Sequence, residues 1–485
     1  GEYIMLKKIV ISSLLAITPV AALANPPPCA ANWPAAAPGD LLATHVEDLG
    51  GDDTFNALKS KKGKIFVVGT TNASGFDDMV VAKYRHDGAC GLELDPGFNG
   101  GLPIVFDFDL DPNAPFNHNS GTWIDLRRID TDDDGIKDDH EIYAGGTTEM
   151  GQGILVKAGV AKFLSDGSPD LSYGGGPLGG GLPVPGSSIL ACSVDYDSVA
   201  DGFVTSEGEA IFAGQSANGP GGLGGRNYDF YSAKMDPTGS PAPWANGGCA
   251  VEQYGGLLNG WDATEFAVST MDFDGKVLSV GAASIVNSGN DIQLIRYLSD
   301  GAYDPSFGNG GVKTTSALTL GPPAYYLTVE DAALAKLFNL RRIVVVGRGI
   351  DWGAGVIPVG SAIDMFIIRY LEDGDIDMAF GTNGFIRSDL GLTSIEPKAV
   401  TIDRWKRTIV AGEYGNPVGG GKGIFVARFD MFGNLDATFG VNGVVTTNGR
   451  ENVAEIGIAH DGKSIFVVGG SPVGSLDAMI YLFKG

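Results

Sequence analysis

The densest run of chemically capable side chains in this sequence is Asp130-Thr131-Asp132-Asp133-Asp134-Gly135-Ile136-Lys137-Asp138-Asp139-His140-Glu141. Its spacing fits a calcium loop. Asp130, Asp132 and Asp134 place carboxylates on alternate residues, Gly135 permits a sharp turn, and Ile136 offers a backbone carbonyl. Asp138 can act directly or through water, and Glu141 can supply two oxygens at once. Hard oxygen donors at this density suit Ca²⁺ far better than Zn²⁺. Without a cation, the carboxylates repel one another at short range. The competing reading is an acidic surface turn, because the flanks, Ile124 to Ile129 and Ile142 to Ala144, read as strands rather than helices.

Little else is arranged for chemistry. The five histidines, His45, His86, His118, His140 and His460, show no ligand spacing. There is no Gly-x-Ser-x-Gly elbow, His-Glu-x-x-His or phosphate loop. The four cysteines, Cys29, Cys90, Cys192 and Cys249, form no Cys-x-x-Cys pair. In an exported chain their even number permits two disulfides. Cys192 and Cys249 flank one repeat and are the preferred pair, with free thiols the alternative. A net charge of −25 argues against nucleic acid, whose phosphates need a basic face.

The elements that must position any site come from a repeat. Seven short apolar strands end in glycine: Ile65 to Gly69, Ile142 to Gly146, Ile211 to Gly214, Val277 to Gly281, Ile343 to Gly347, Thr408 to Gly412 and Ile465 to Gly469. Successive glycines stand 77, 68, 67, 66, 65 and 57 residues apart. Such a period marks a repeat architecture. Each copy reads as four strands, since β-branched and aromatic runs alternate with Asp-Gly and Asn-Gly turns. The run Ile343 to Val346 implies an inner strand buried on both faces, and the alternation Ile292, Leu294, Arg296 a strand with one face partly wet. Phe307, Phe380 and Phe439, each followed by glycine, recur at one place in the unit and read as plugs between neighbouring sheets.

Four-stranded units repeated around an axis make a β-propeller. Asp40 to Thr44 precede the first inner strand as Gly443 to Thr447 precede the last, and Ile480 to Phe483 end the chain on a third strand. The expectation is an all-β propeller of seven four-stranded blades closed by pairing of its amino- and carboxy-terminal segments. An open β-repeat array is the alternative.

Asp300-Gly301 to Phe307-Gly308 and Gly311, repeated at Asp373 to Gly384, give the pattern Asp-Gly-x-x-Asp-x-x-Phe-Gly-x-x-Gly. The sixth copy has Gly433-Asn434 in place of Asp-Gly but keeps Asp436, Phe439, Gly440 and Gly443, and Trp244 stands in the Phe region of the third. This signature resembles the delta-60 repeat of secreted bacterial proteins, across most of the chain. The resemblance implies an exported propeller-like module and brings no catalytic residues.

Residues 1–24 read as an upstream remnant plus a signal peptide, with Lys7 and Lys8 before the apolar Ile9 to Val20 and Ala22-Leu23-Ala24 at the cleavage site. Residues 25–38 read as a Pro/Ala-rich linker, and 39–485 as one propeller with the calcium-type loop at 130–141. No stretch after the signal is long enough to span a bilayer. The expectation is a secreted, cell-surface or periplasmic binding propeller without catalysis, stabilised by Ca²⁺, meeting a protein or glycan through the loops that join second to third strands. Trp352 and Tyr414 are the aromatic candidates on that rim. The calcium-type loop lies on the opposite face. The alternatives are a secreted hydrolase or lyase with a site in the central channel, and a structural envelope or matrix component.

Overall fold

The computed structural model describes residues 36–485 apart from 62, 87–90, 109–117, 131–138, 151–154, 175–183, 194–195, 218–228, 246, 253–268, 273–274, 285–289, 317–324, 338–339, 352–362, 416–421, 448–456, 461–463 and 472–476. The described chain is strand and turn, and no helix in it is long and apolar enough to cross a membrane.

The described strands form six sheets that divide into seven antiparallel blades, blades 2 and 3 being joined by a parallel bridge between Tyr196 and Val156. Blade 1 is Asp53–Lys61, Lys64–Thr71 and Asp78–His86, edged by Leu92–Leu94 and Ile104–Phe106. Blade 2 is Asn119–Ile129, Asp139–Met150, Leu155–Phe163 and Ser187–Leu190. Blade 3 is Tyr196–Val204, Ala210–Ala217, Asp229–Met235 and Cys249–Glu252. Blade 4 is Ser269–Asp272, Val277–Ser284, Asn290–Tyr297 and Val312–Thr315, and blade 5 is Tyr325–Leu337, Leu340–Asp351, Ile363–Leu371 and Phe385–Ser388. Blade 6 is Thr393–Ile402, Thr408–Gly415, Lys422–Phe429 and Val444–Thr446. Blade 7 is Gly457–His460, Ser464–Ser471 and Asp477–Lys484, and its fourth strand is Leu41–Glu47 from the other end of the chain.

That borrowed strand closes the ring. Leu41 pairs with Phe483 and Glu47 with Ala478. Phe55, Val67 and Val80 of blade 1 share a core with Phe466, Val468 and Ile480 of blade 7. The first strands of the seven blades touch in cyclic order, the seventh against the first, and so surround one axis. This is the propeller expected from the repeat.

The repeat glycine has a steric cause. Gly69, Gly146, Gly214, Gly347 and Gly412 pair with Phe55, Gly121, Val199, Val329 and Pro397, and in each blade the first strand bulges immediately after that partner. A Cβ on Gly347 would collide with the Thr328 carbonyl, and one on Gly146 with that of Ser120. The bulge places one extra residue on the strand that faces the axis. The run Ile343 to Val346 is the second strand of its blade and is buried on both faces, as expected.

The recurring phenylalanines are inter-blade plugs. Phe307, Phe380 and Phe439 are fully buried. Phe307 abuts Gly374 in the turn of blade 5, and the next residue, Gly308, donates its N–H to the Asp373 carbonyl at 2.8 Å. The same bond recurs as Asn99 to Asp166, Gly174 to Thr238, Ala245 to Asp300 and Gly381 to Phe432. At the sixth seam Gly440 donates instead to Pro38 of the amino-terminal segment. Trp244, 1 % exposed, fills the plug site of blade 3.

Arg296 departs from the sequence reading. Its strand was expected to have one partly wet face, yet Arg296 is 4 % exposed. Its Nε donates to Asp304 at 2.7 Å, Nη1 to the Glu372 carbonyl of the next blade at 2.6 Å, and its guanidinium lies 4.6 Å over the Phe307 ring. Arg369 repeats this with Asp377, the Met431 carbonyl and Phe380, whereas Arg428 keeps the Asp436 bond and the Phe439 stack but its Nη1 meets no hydrogen-bond partner among the described residues. A buried guanidinium is tolerated when its donors are met and its plane is stacked. The signature Asp and Phe are therefore the two halves of one arginine socket.

Candidate functional site

The hairpin that carries the calcium-type sequence joins the first and second strands of blade 2, with Ile129 paired to Asp139 at its base. Asp130 stands at the start, and Asp132, Asp134, Ile136 and Asp138 lie outside the described residues. Glu141 is on the second strand, and both its oxygens are engaged. Oε1 meets Lys162 Nζ at 2.9 Å, and Oε2 accepts from Arg127 Nη1 at 2.8 Å. Lys162 also reaches Asp170 at 2.8 Å. Bidentate calcium coordination by Glu141 requires release of both cations, so in this arrangement Glu141 does not fit the last ligand position.

On the opposite face, Tyr414 packs down instead of standing out. It is 7 % exposed and donates its hydroxyl to the Thr447 carbonyl at 2.7 Å, which leaves it no face for a partner. Trp352 lies outside the described residues.

What the structure assembles on that face is a charge cluster that no sequence motif announces. Glu330 and Lys398 are the bulge residues of the first strands of blades 5 and 6. Arg348 follows the repeat glycine of blade 5, and Glu413 that of blade 6, where it pairs directly with Glu396. Arg348 Nε lies 3.2 Å from Glu330, and its Nη1 lies 3.4 Å from Glu396. Lys398 Nζ sits 3.7 Å from Glu330 and 3.8 Å from Glu396. Lys422 Nζ binds Glu413 at 2.6 Å and lies 3.9 Å from Glu396.

Burial varies within the cluster: the Glu330 side chain is buried, while those of Glu396, Lys398 and Arg348 are 19 %, 21 % and 25 % exposed. The Glu413 side chain is 1 % exposed, while that of Lys422 is 45 % exposed. Burial pushes the Glu413 carboxyl above its ordinary value, against the pull of Lys422, and its Oε1 has no hydrogen-bond partner. Glu330 and Glu413 therefore lie buried, and Glu396 shares the partly open edge with Arg348, Lys398 and Lys422.

Deeper along the axis, Lys59 of blade 1 lies 3.6 Å from Asp125 of blade 2. Asp125 raises the Lys59 pKa and outweighs burial, with Asp201 and Asp331 adding to it. Asp125 also accepts the Val204 N–H of blade 3, and Asp331 the Val400 N–H of blade 6. These aspartates tie neighbouring first strands together.

A separate cleft of about 600 Å³ lies at the outer edge of blades 3 and 4. Its wall includes Tyr303, stacked 5.8 Å from Tyr297, and Glu252, which accepts from both hydroxyls. The Cys192–Cys249 disulfide borders it, which forms the preferred cysteine pair. Cys29 and Cys90 lie outside the described residues.

Against known proteins, residues 274–307 match the family model described as a domain of unknown function (DUF5122) beta-propeller. This short match places the repeat among β-propeller-like repeats. It does not reach the delta-60 repeat specifically. No curated protein matches the chain. Solved structures similar to it include the polysaccharide lyase Uly1, at 7 % identity over 88 % of this chain and 89 % of that one, with a TM-score of 0.45. The β-propeller domain of the Trilobed protease from Pyrococcus furiosus aligns at 8 % identity over 90 % and 94 %, with a TM-score of 0.40. A subtype N11 neuraminidase-like protein of A/flat-faced bat/Peru/033/2010 aligns at 9 % identity over 76 % and 87 %, with a TM-score of 0.38.

Proposed function

We propose that this protein is an exported binding propeller that holds a polyhydroxylated ligand, a glycan, at the channel mouth between blades 5 and 6. The observation that carries this is the charge cluster assembled by the strands of blades 5 and 6. Arg348, Lys398 and Lys422 are partly open and are each paired with Glu330, Glu396 or Glu413, so the surface offers oriented donors. Fixed, pre-oriented polar groups at a concave mouth are what a hydroxyl-rich ligand needs.

A hydrolase or lyase at the same place is the second reading. It is favoured by one observation: Glu413, raised by burial, pairs across the strands with Glu396. A pair of neighbouring carboxyls is the element that acid–base cleavage of a sugar chain uses. The binding reading stands first because Glu413, at 1 % exposure, has no surface with which to touch a substrate.

One experiment separates them. The full chain is titrated with a panel of neutral and acidic polysaccharides, and each mixture is also assayed for new chain ends. Binding without product, weakened at least tenfold in Arg348→Ala plus Lys422→Ala, supports the binding reading. Product formation that stops in Glu413→Gln establishes the catalytic one. Neither binding nor product across the panel overturns both.

Calcium at 130–141 belongs to the proposal as a stabiliser of blade 2, through Asp130, Asp132, Asp134 and Asp138, with Glu141 retained by Arg127 and Lys162. Export rests on the amino-terminal pattern and the disulfide, which persists in oxidising compartments. Secretion of the full chain by an expressing cell, with loss of residues 1–24 by mass, checks it; retention in the cytoplasm contradicts it.

A further inference from the structure

At the seam where the ring closes, three carboxylates from distant parts of the chain meet. Asp48 follows the borrowed strand, Asp53 opens the first strand of blade 1, and Asp477 opens the third strand of blade 7. One oxygen from each lies within 4.8 Å of the others. Asp53 is fully buried. Its Oδ2 accepts the Leu49 N–H at 2.7 Å, and its Oδ1 has no hydrogen-bond partner. Burial raises its pKa against the pull of the Thr71 hydroxyl and the Leu49 N–H, and Asp48 and Asp477 raise it further.

The repeat supplies an internal comparison. Counting from the repeat glycines and their strand partners, Asp197 of blade 3 occupies the place that Asp53 holds in blade 1. Asp197 is also fully buried, and Lys157 from the third strand of blade 2 reaches its carboxylate at 3.1 Å. Ser216, Cys192 and Ser193 donate to it as well. By the same count, Asp477 occupies in blade 7 the place of Lys157 in blade 2. One seam thus sets an ammonium against the buried carboxylate, and the other sets a second carboxylate there.

We propose that a hard divalent cation, calcium in size, sits among Asp48, Asp53 and Asp477 and takes the part that the Lys157 ammonium plays between blades 2 and 3. Three oxygens this close to one another can share one cation, whose bonds to oxygen are about 2.4 Å for calcium. A buried carboxylate left with an unmet oxygen beside two more is costly, and a divalent ion meets it. Because the three ligands come from blade 1, blade 7 and the segment linking them, the ion joins the two ends of the ring. This site is separate from the 130–141 loop and from the channel mouth.

The test uses the full chain carrying Asp134→Ala, which removes a ligand of the loop and leaves the seam intact. Its melting temperature is measured with calcium chloride and with chelator, alongside Asp53→Asn and Asp477→Lys in the same background. Calcium raises the midpoint of the Asp134→Ala chain by several degrees, as expected when an ion binds only the folded state. The rise disappears in both seam variants. Asp477→Lys recreates the Lys157 arrangement, so its midpoint in chelator reaches that of the calcium-loaded parent, and it keeps the test sound should Asp53→Asn not fold. No calcium response in the Asp134→Ala chain, or a response unchanged in Asp477→Lys, overturns the proposal.

Discussion

Replacing Phe307 by alanine tests whether the repeat signature works as a socket between blades. The ring is fully buried, wedged against Gly374 of the next blade and covered by the Arg296 guanidinium at 4.6 Å. Phe→Ala at a buried site costs about 4 kcal/mol in transfer and cavity terms. Loss of the cation–π face adds about 1 kcal/mol. Arg296 keeps its bonds to Asp304 and Glu372, so no buried donor is orphaned. At about 2.1 cal/mol/K per residue over about 450 residues, the unfolding entropy is about 0.9 kcal/mol/K, and the melting temperature falls by about 5 °C. The control is Phe432→Ala, at a ring 57 % exposed, which shifts stability by less than about 0.5 kcal/mol. Calorimetric melts of the two variants decide the matter. Equal shifts would refute the socket.

Other outcomes follow from the same geometry. Cys192→Ser plus Cys249→Ser opens a loop of sequence separation 57 and costs about 4 kcal/mol by the chain-entropy relation, read from urea midpoints. Glu141→Gln breaks its pairs with Arg127 and Lys162 and costs about 3 kcal/mol equally in calcium and chelator; a cost confined to calcium buffer would make Glu141 a ligand instead. Asp377 is held below the usual carboxylate range, because bonds from Arg342 and Arg369 outweigh the upward push of burial. A depressed folded pKa adds stability that is complete above the unfolded value of about 3.8 and is lost as pH falls below it. Asp377→Asn therefore destabilises at neutral pH, and its urea midpoint converges on wild type as pH drops through that window; a pH-independent gap would contradict this.

The parts of the structure legible in the sequence are those that local sterics repeat. The glycine within the second strand marks, in five blades, the bulge beside which a Cβ would collide, and the Phe-Gly pair marks the plug, so blade number and closure both follow from spacing. The alternation Ile292, Leu294, Arg296 implies a strand with one partly wet face, yet the Arg296 charge is met by Asp304 eight residues on and by a carbonyl of the next blade. Glu141 fits a local motif, yet the strands set it between Arg127 and Lys162. Tyr414 was expected on the rim but turns inward because Thr447, on the adjacent outer segment, offers a carbonyl. The channel-mouth cluster joins residues from Glu330 to Lys422, and the closure seam joins Asp48 to Asp477. No linear pattern brings such groups together; only the ring does.

The most direct test of the functional account is hydrogen exchange on the full chain with and without the glycan that binds best in the panel. The account predicts slowed exchange concentrated in Tyr325–Leu337, Thr393–Ile402 and Thr408–Gly415, the strands that carry Glu330, Glu396, Lys398 and Glu413. Protection confined to Cys249–Glu252 and the Tyr303 turn would move the binding surface to the outer cleft and contradict it.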